Sequence, residues 1–94
     1  MANFVTARFL NIYLNQKPGI TLSDIETEMN NALDWFRYDS KCWVIYSNSS
    51  IDTWIVRLKK LVEPNGRLFI CKLDINDKNG WMTREFWDWI NKQR

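Results

Sequence analysis

Residues 42–62, CWVIYSNSSIDTWIVRLKKLV, hold the two most strongly patterned segments of the chain. Residues 42–47 are mainly β-branched and aromatic, which is typical of a buried β-strand. Residues 51–62 carry apolar side chains at helical spacing, which is typical of an amphipathic helix. The polar tripeptide Asn48-Ser49-Ser50 lies between them and offers the helix a cap. This stretch therefore predicts a strand that leads directly into a helix.

The residues that follow predict another strand and a short last helix. Glu63-Pro64-Asn65-Gly66 combines two helix breakers and ends the preceding helix. Residues 67–74, RLFICKLD, have the composition of a buried strand, and a polar loop follows them. Thr83 is then placed to cap a final helix with an apolar side. That side consists of Met82, Phe86, Trp89 and Ile90, with Trp87 flanking them.

The residues before position 42 begin with a predicted strand. Residues 3–14 alternate imperfectly and carry apolar groups on both faces, as a strand covered on both sides does; a helix is the competing interpretation. Lys17-Pro18-Gly19 then breaks the chain. Residues 35–38 are aromatic and extended in character, and Asp39-Ser40 is a suitable turn. We therefore expect a hairpin that ends with the strand at 42–47.

A helix is predicted between these two strands. Ser23 and Glu26 form a capping-box pair, and Thr21 with Asp24 offers an alternative register. Apolar residues then recur at spacings of three and four, and this pattern predicts that the helix ends near Leu33.

The order strand, helix, strand, strand, helix, strand, helix predicts an α+β fold. Two strand–helix–strand halves describe a ferredoxin-like βαββαβ antiparallel sheet, here with an extra C-terminal helix. We expect a single domain over 1–94, with a sandwich core at 1–75 and the added helix at 81–92. The first and third strands would be central, so the first strand would separate Cys42 from Cys71 and a disulfide is not expected.

The composition excludes several classes of function. The chain has 94 residues, 46% of them hydrophobic, and no His, which excludes imidazole general bases and His-ligated metals. A net charge of +2 is well short of that of a dedicated nucleic-acid binder. We expect no cofactor, no metal and no membrane span. Two cysteines without metal-ligand spacing and an N-terminus unlike a signal peptide predict a cytoplasmic protein.

Three stretches carry a resemblance to known proteins: YLNQKPG at 13–19, SKCWVI at 40–45 and EPNGRLFICKL at 63–73. Over most of residues 9–75 the chain resembles small bacterial and phage proteins of the SinR family. Those proteins are similar to the small adaptation subunit of CRISPR systems and to VapD-type ribonucleases. The resemblance implies a ferredoxin-like fold and a homodimer.

The chain departs from these relatives at the position that carries their chemistry. In the enzymatic relatives an Asp at the end of the first strand binds a divalent metal across the dimer axis. Leu14 occupies the position where SinR-like chains commonly have Asp, and Asn11 and Asn15 are poor ligands for a hard cation. A metal-dependent endoribonuclease would need a carboxylate from elsewhere, such as Asp39 or Asp74.

Two groups of residues are candidates for binding. Aromatic residues are concentrated in the last fourteen positions. Their apolar surface is wider than one sheet face needs as a cover, so they form either a lid on the sheet or a protein interface. The candidate interface residues are Trp81, Phe86, Trp87 and Trp89. Basic residues near sheet aromatics could bind RNA or DNA, with a solvated surface as the alternative. These residues are Arg37, Lys41, Arg57, Lys60 and Arg67.

The sequence thus favours a non-catalytic interaction protein that forms a homodimer. Its small size and its phage-like relatives suggest a phage or mobile-element factor that acts on a bacterial defence complex. The alternatives are a metal-dependent endoribonuclease of the related type and a sheet-based nucleic-acid-binding module.

Overall fold

A computed structural model describes residues 6–94 as a four-stranded antiparallel sheet with three helices. The sheet order is β2-β3-β1-β4, so β1 and β3 are central. The predicted α+β class and order of elements are confirmed; residues 3–5 of the first predicted strand lie outside the described residues. The elements are β1 (Arg8–Asn15), α1 (Leu22–Met29), β2 (Asp34–Asp39), β3 (Cys42–Ser47), α2 (Ile51–Val62), β4 (Arg67–Lys72) and α3 (Arg84–Ile90).

The sheet is covered on both faces because side chains alternate along each strand. On the first face, Leu10, Ile12 and Leu14 of β1 are fully buried against α1 and α2. On the opposite face, Phe9 packs in a second cluster with residues of α3. The imperfect alternation of the first strand therefore reflects a strand between two apolar layers. We call these the helix-pair face and the α3 face.

Helix α1 uses the alternative capping register and ends earlier than predicted. Thr21 is the N-cap, and its Oγ1 accepts a hydrogen bond from the Asp24 backbone N–H at 3.1 Å while the Asp24 carboxylate accepts from the Thr21 N–H at 2.9 Å. The predicted end near Leu33 was wrong, since the helix ends at Met29. The Asn31 side-chain amide donates to the Glu28 carbonyl at 3.0 Å and so replaces the continuing helical bond.

Helix α2 follows β3 through a short capped turn. The Ser50 hydroxyl accepts from the Thr53 backbone N–H at 3.1 Å, as the polar tripeptide predicted. Ser47 is fully buried, and its hydroxyl accepts from the Trp54 indole N–H at 2.9 Å. Trp54 is also fully buried, so this bond satisfies the only polar atom of its side chain.

Strand β4 and helix α3 are both shorter than predicted. Strand β4 ends at Lys72, two residues before the predicted end. Helix α3 spans Arg84–Ile90 within the predicted 81–92 segment. Cys42 and Cys71 are free and lie on the two strands that flank β1, as expected. None of the helices within residues 6–94 is long and apolar enough to cross a membrane.

Candidate interaction surface around helix α3

Helix α3 is anchored to the sheet by its apolar side. The Thr83 hydroxyl caps it by accepting the Phe86 backbone N–H at 3.2 Å. Phe86 and Ile90 are buried against Phe9 and Val44 of the central strands. The helix therefore covers part of the sheet face opposite α1 and α2, which is the lid interpretation of this segment.

Aromatic rings make most of the contact between α3 and the sheet. The Phe86 ring lies edge-on to Phe36 with a centroid distance of 6.1 Å and to Tyr38 at 5.8 Å. Trp89 lies edge-on to Phe9 at 5.9 Å. Tilted and edge-to-face geometry is favourable for aromatic pairs, each about 0.5–1.5 kcal/mol beyond the area buried. The position of α3 is therefore defined by specific ring contacts as well as by burial.

The structure separates the four aromatic residues that the sequence grouped as an interface. Phe86 is only 8% exposed and belongs to the core of this chain, so it is not accessible to a partner. Trp87 and Trp89 are half-buried. Trp81 precedes the helix and is fully exposed. Trp81 is thus the residue of this group that is free for contact.

A groove opens beside α3, between the helix, the sheet and the loop that joins β4 to α3. Its volume is about 300 Å³. Asn11 and Tyr38 line its sheet side, and Met82 and Trp87 line its α3 side. The loop residues 74–80 supply most of the remaining wall. Apolar walls with a few convergent polar groups are typical of binding sites.

Tyr38 provides a neutral hydroxyl in the groove. Burial, together with the neighbouring Cys42 thiol, raises the pKa of Tyr38 to about 12. The hydroxyl donates to the Asn11 side-chain oxygen at 2.5 Å. This pair was not evident from the sequence, although Asn11 is the polar residue among apolar ones on its face of β1. A polar residue on an otherwise apolar strand face was the signal that could have identified it.

Two of the basic candidates lie on α2, on the helix-pair side of the sheet. The Arg57 guanidinium is stacked on the Trp54 ring at 4.7 Å from the centroid. The Lys60 ammonium pairs with the Glu28 carboxylate at 2.9 Å. Both cations are therefore engaged with their own chain and lie away from the α3 face.

The other three basic candidates lie at the end of the sheet where β1 finishes, with Arg67 opposite Asn15 and the Lys41 backbone bonded to Leu14. Arg37 lies over the Trp43 ring at 5.5 Å from the centroid, and Lys41 donates to the Gln16 side chain at 2.9 Å. Arg67 is exposed at the start of β4. Arg67 is on the α3 face, whereas Arg37, Arg57 and Lys60 are on the helix-pair side, so the candidates are divided between the two faces.

The residues considered for metal-dependent chemistry are also not brought together. Leu14 is fully buried on the helix-pair face. Asp39 ends β2, whereas Asp74 follows β4, and these positions lie near opposite ends of β1. In the part of the chain from residue 6 onward, no group of three or more Cys, Asp or Glu residues is placed to hold a metal ion.

No protein-family model matches the chain, and neither the curated proteins nor the solved structures include a match.

Proposed function

We propose that the protein is a non-catalytic interaction protein that self-associates as a homodimer through the surface around α3. The observation that carries the proposal is a fully exposed Trp81 next to a groove of about 300 Å³. In the proposed dimer, the Trp81 side chain of each copy occupies the groove of the other. Burial of the two indole side chains removes apolar surface from contact with water, which favours association.

The groove suits one aromatic side chain. Its volume lies at the lower end of the range for binding pockets, roughly 300–1,000 Å³. A groove of this size is too small for an extended peptide. The walls from Met82 and Trp87 are apolar, and the side-chain oxygens of the lining residues Asp74 and Asn79 are acceptors for the incoming indole N–H. Sulfur and aromatic groups are favourable neighbours for an indole ring.

The position of Trp81 also fits a twofold arrangement. Its chain neighbours Gly80 and Met82 line the groove, so the projecting side chain and the receiving surface are adjacent on one molecule. A twofold dimer uses the same patch on both copies and makes each contact twice. An interface of this kind is small, so we expect weak association, with a dissociation constant roughly in the micromolar to millimolar range.

We also propose that the sandwich formed by β1 to β4 with α1 and α2 is ferredoxin-like. The support is the βαββαβ order of these elements and the central position of β1 and β3. The relation to the SinR family, and with it a role against a bacterial defence complex, rests on the sequence resemblance alone.

Sedimentation equilibrium over a wide concentration range tests the self-association. The unaltered chain is expected to dimerise reversibly, and Trp81→Ala is expected to remain monomeric at the same concentrations. Val56→Ala is the matched control, because Val56 is 76% exposed on the outer side of α2. A monomer at millimolar concentration, or a dimer unaffected by Trp81→Ala, would contradict the proposal.

A second observation favours the nucleic-acid-binding alternative. Tyr13 and Phe69 are cross-strand partners on the α3 face, and they are 37% and 63% exposed. Adjacent exposed rings on a sheet can stack bases of a single strand. Arg67 lies two residues before Phe69 on the same strand face and could contact a phosphate.

Fluorescence anisotropy with labelled single-stranded RNA tests this alternative. Binding that weakens steeply with salt and is lost in Phe69→Ala would support it. The control is Leu33→Ala, which removes an equally exposed apolar side chain outside the sheet. Absence of binding at low salt would reject it.

A further inference from the structure

The guanidinium of Arg94 is enclosed by three aromatic rings and a carboxylate. Its central carbon lies 4.6 Å from the Trp89 ring centroid, 5.1 Å from Tyr46 and 5.2 Å from Phe9. One of its nitrogens lies 3.1 Å from Asp34 Oδ2. The Arg94 side chain is only 11% exposed. We call the four surrounding residues the aromatic–acidic cage.

The cage is built by the fold without help from Arg94. Its members come from four different elements, β1, β2, β3 and α3. The rings also contact one another, since the Phe9 centroid lies 4.9 Å from Tyr46 and 5.9 Å from Trp89. The other oxygen of Asp34 accepts the Trp35 backbone N–H at 2.9 Å, which orients the carboxylate. Removal of Arg94 would therefore leave a preformed site.

The chemistry of the cage suits a guanidinium. The faces of Trp, Tyr and Phe attract cations, by roughly 0.5–2 kcal/mol each depending on desolvation. A flat guanidinium can stack on a ring and still donate to a carboxylate at its edge, which a compact ammonium cannot do in the same way. Asp34 stays charged at neutral pH: burial opposes its ionisation, but hydrogen bonds from Lys92 and the Trp35 N–H, with the charge of Lys92, lower its pKa.

Arg94 contacts the aromatic–acidic cage only through its side chain. The chain after α3 is irregular, and the bonds that continue from the helix are made by the Asn91 and Lys92 N–H groups. Arg94 itself donates to Asp34 and to the Lys92 carbonyl. Its departure would break no helix or sheet hydrogen bond, and Lys92 would still neutralise Asp34 at 3.2 Å.

We propose that the aromatic–acidic cage is a binding site for an arginine side chain presented by another protein, and that Arg94 occupies this site as an internal competitor. When Arg94 leaves, the site presents three aromatic faces beside a carboxylate, so it selects a planar cation that can stack on the rings and donate to Asp34. An arginine from a partner would make the same three ring contacts and the same ion pair. Trp81 is not part of the aromatic–acidic cage, so this proposal does not depend on self-association.

The test uses Arg94→Ala combined with Trp81→Ala, and the probe is Nα-acetyl-arginine amide. Binding is followed by the NMR signal of the Trp89 indole N–H, assigned by its loss in Trp89→Phe. We expect a saturable shift in the Arg94→Ala protein. Because a tethered competitor has an effective concentration of order millimolar, a probe that binds the open cage with a dissociation constant of about 0.1 mM should bind about tenfold more weakly when Arg94 is present. Arg94→Lys, a weaker competitor, gives the same comparison in a protein that keeps a cation in the cage.

Two controls make the result decisive. Nα-acetyl-citrulline amide has nearly the same shape without the charge and is expected not to bind. Asp34→Asn added to Arg94→Ala is expected to weaken binding of the arginine probe. Equal binding of the citrulline probe would overturn the proposal, and so would a folded Arg94→Ala protein that shows no shift at tens of millimolar arginine probe.

Discussion

Replacement of Phe86 by Ala tests whether α3 covers the sheet as described. Phe86 is 8% exposed and its ring contacts Phe36, Tyr38 and Trp87. Truncation of a buried Phe costs about 3–5 kcal/mol, the sum of lost burial and the cavity that remains. Because Phe86 borders an open groove that can take up water, the lower end of this range applies, and we expect a loss of about 3 kcal/mol.

This loss is large for a domain of 94 residues, whose free energy of unfolding is typically roughly 5–15 kcal/mol. Urea unfolding followed by circular dichroism measures it directly. With a denaturant dependence of about 2 kcal/mol per molar, the midpoint should fall by about 1.5 M. The experiment is done at low micromolar concentration so that self-association does not contribute.

Val56→Ala is the matched control for the loss of buried contacts. Val56 is 76% exposed on α2, so its truncation should change the free energy of unfolding by less than about 0.5 kcal/mol. If Phe86→Ala behaves like this control, α3 does not pack on the sheet in solution. The groove beside α3 would then not exist, and the proposed dimer would lose its basis.

Two other predictions concern buried polar groups. Ser47→Ala should reduce the free energy of unfolding by about 2 kcal/mol in urea, because it leaves the buried Trp54 indole N–H without an acceptor; a change below about 0.5 kcal/mol would contradict this. Burial and the neighbouring Cys42 thiol keep Tyr38 neutral in the fold by raising its pKa to about 12 from an ordinary value of 10.0. Its contribution to stability should therefore be fully present below pH 10 and be lost as the pH rises through 12. The difference in unfolding free energy between the unaltered chain and Tyr38→Phe should shrink over that range, and a constant difference would refute the assignment.

Local patterns were sufficient to predict the order of elements. Thr83 and the tripeptide Asn48-Ser49-Ser50, of which Ser50 is the cap, were identified from sequence, because capping depends on a few neighbouring residues. The end of α1 was missed because Ala32 and Leu33 continue the apolar spacing beyond Met29. The Asn31 side chain competes for the last helical carbonyl there, and a periodicity argument does not include that competition.

The candidate site depended on contacts that no local pattern contains. The apolar side of α3 was evident from its spacing, but its contact with Phe36 joins residues fifty positions apart. The same limit applies to the cage around Arg94, whose walls come from four elements. The fully exposed Trp81 and the buried Phe86 were equivalent in the sequence because both are large aromatics near the same helix.

The environment of the Trp81 indole is the most direct measure of the proposed function. The chain has six Trp residues, and labelling with 5-fluorotryptophan should give one fluorine NMR signal for each. Trp81→Phe assigns the signal of interest by its loss. The solvent isotope shift between H₂O and D₂O should be large for Trp81 in the dilute protein and fall as concentration rises, while the signal of buried Trp54 stays unchanged. A Trp81 signal that keeps its full solvent shift at millimolar concentration would contradict the account.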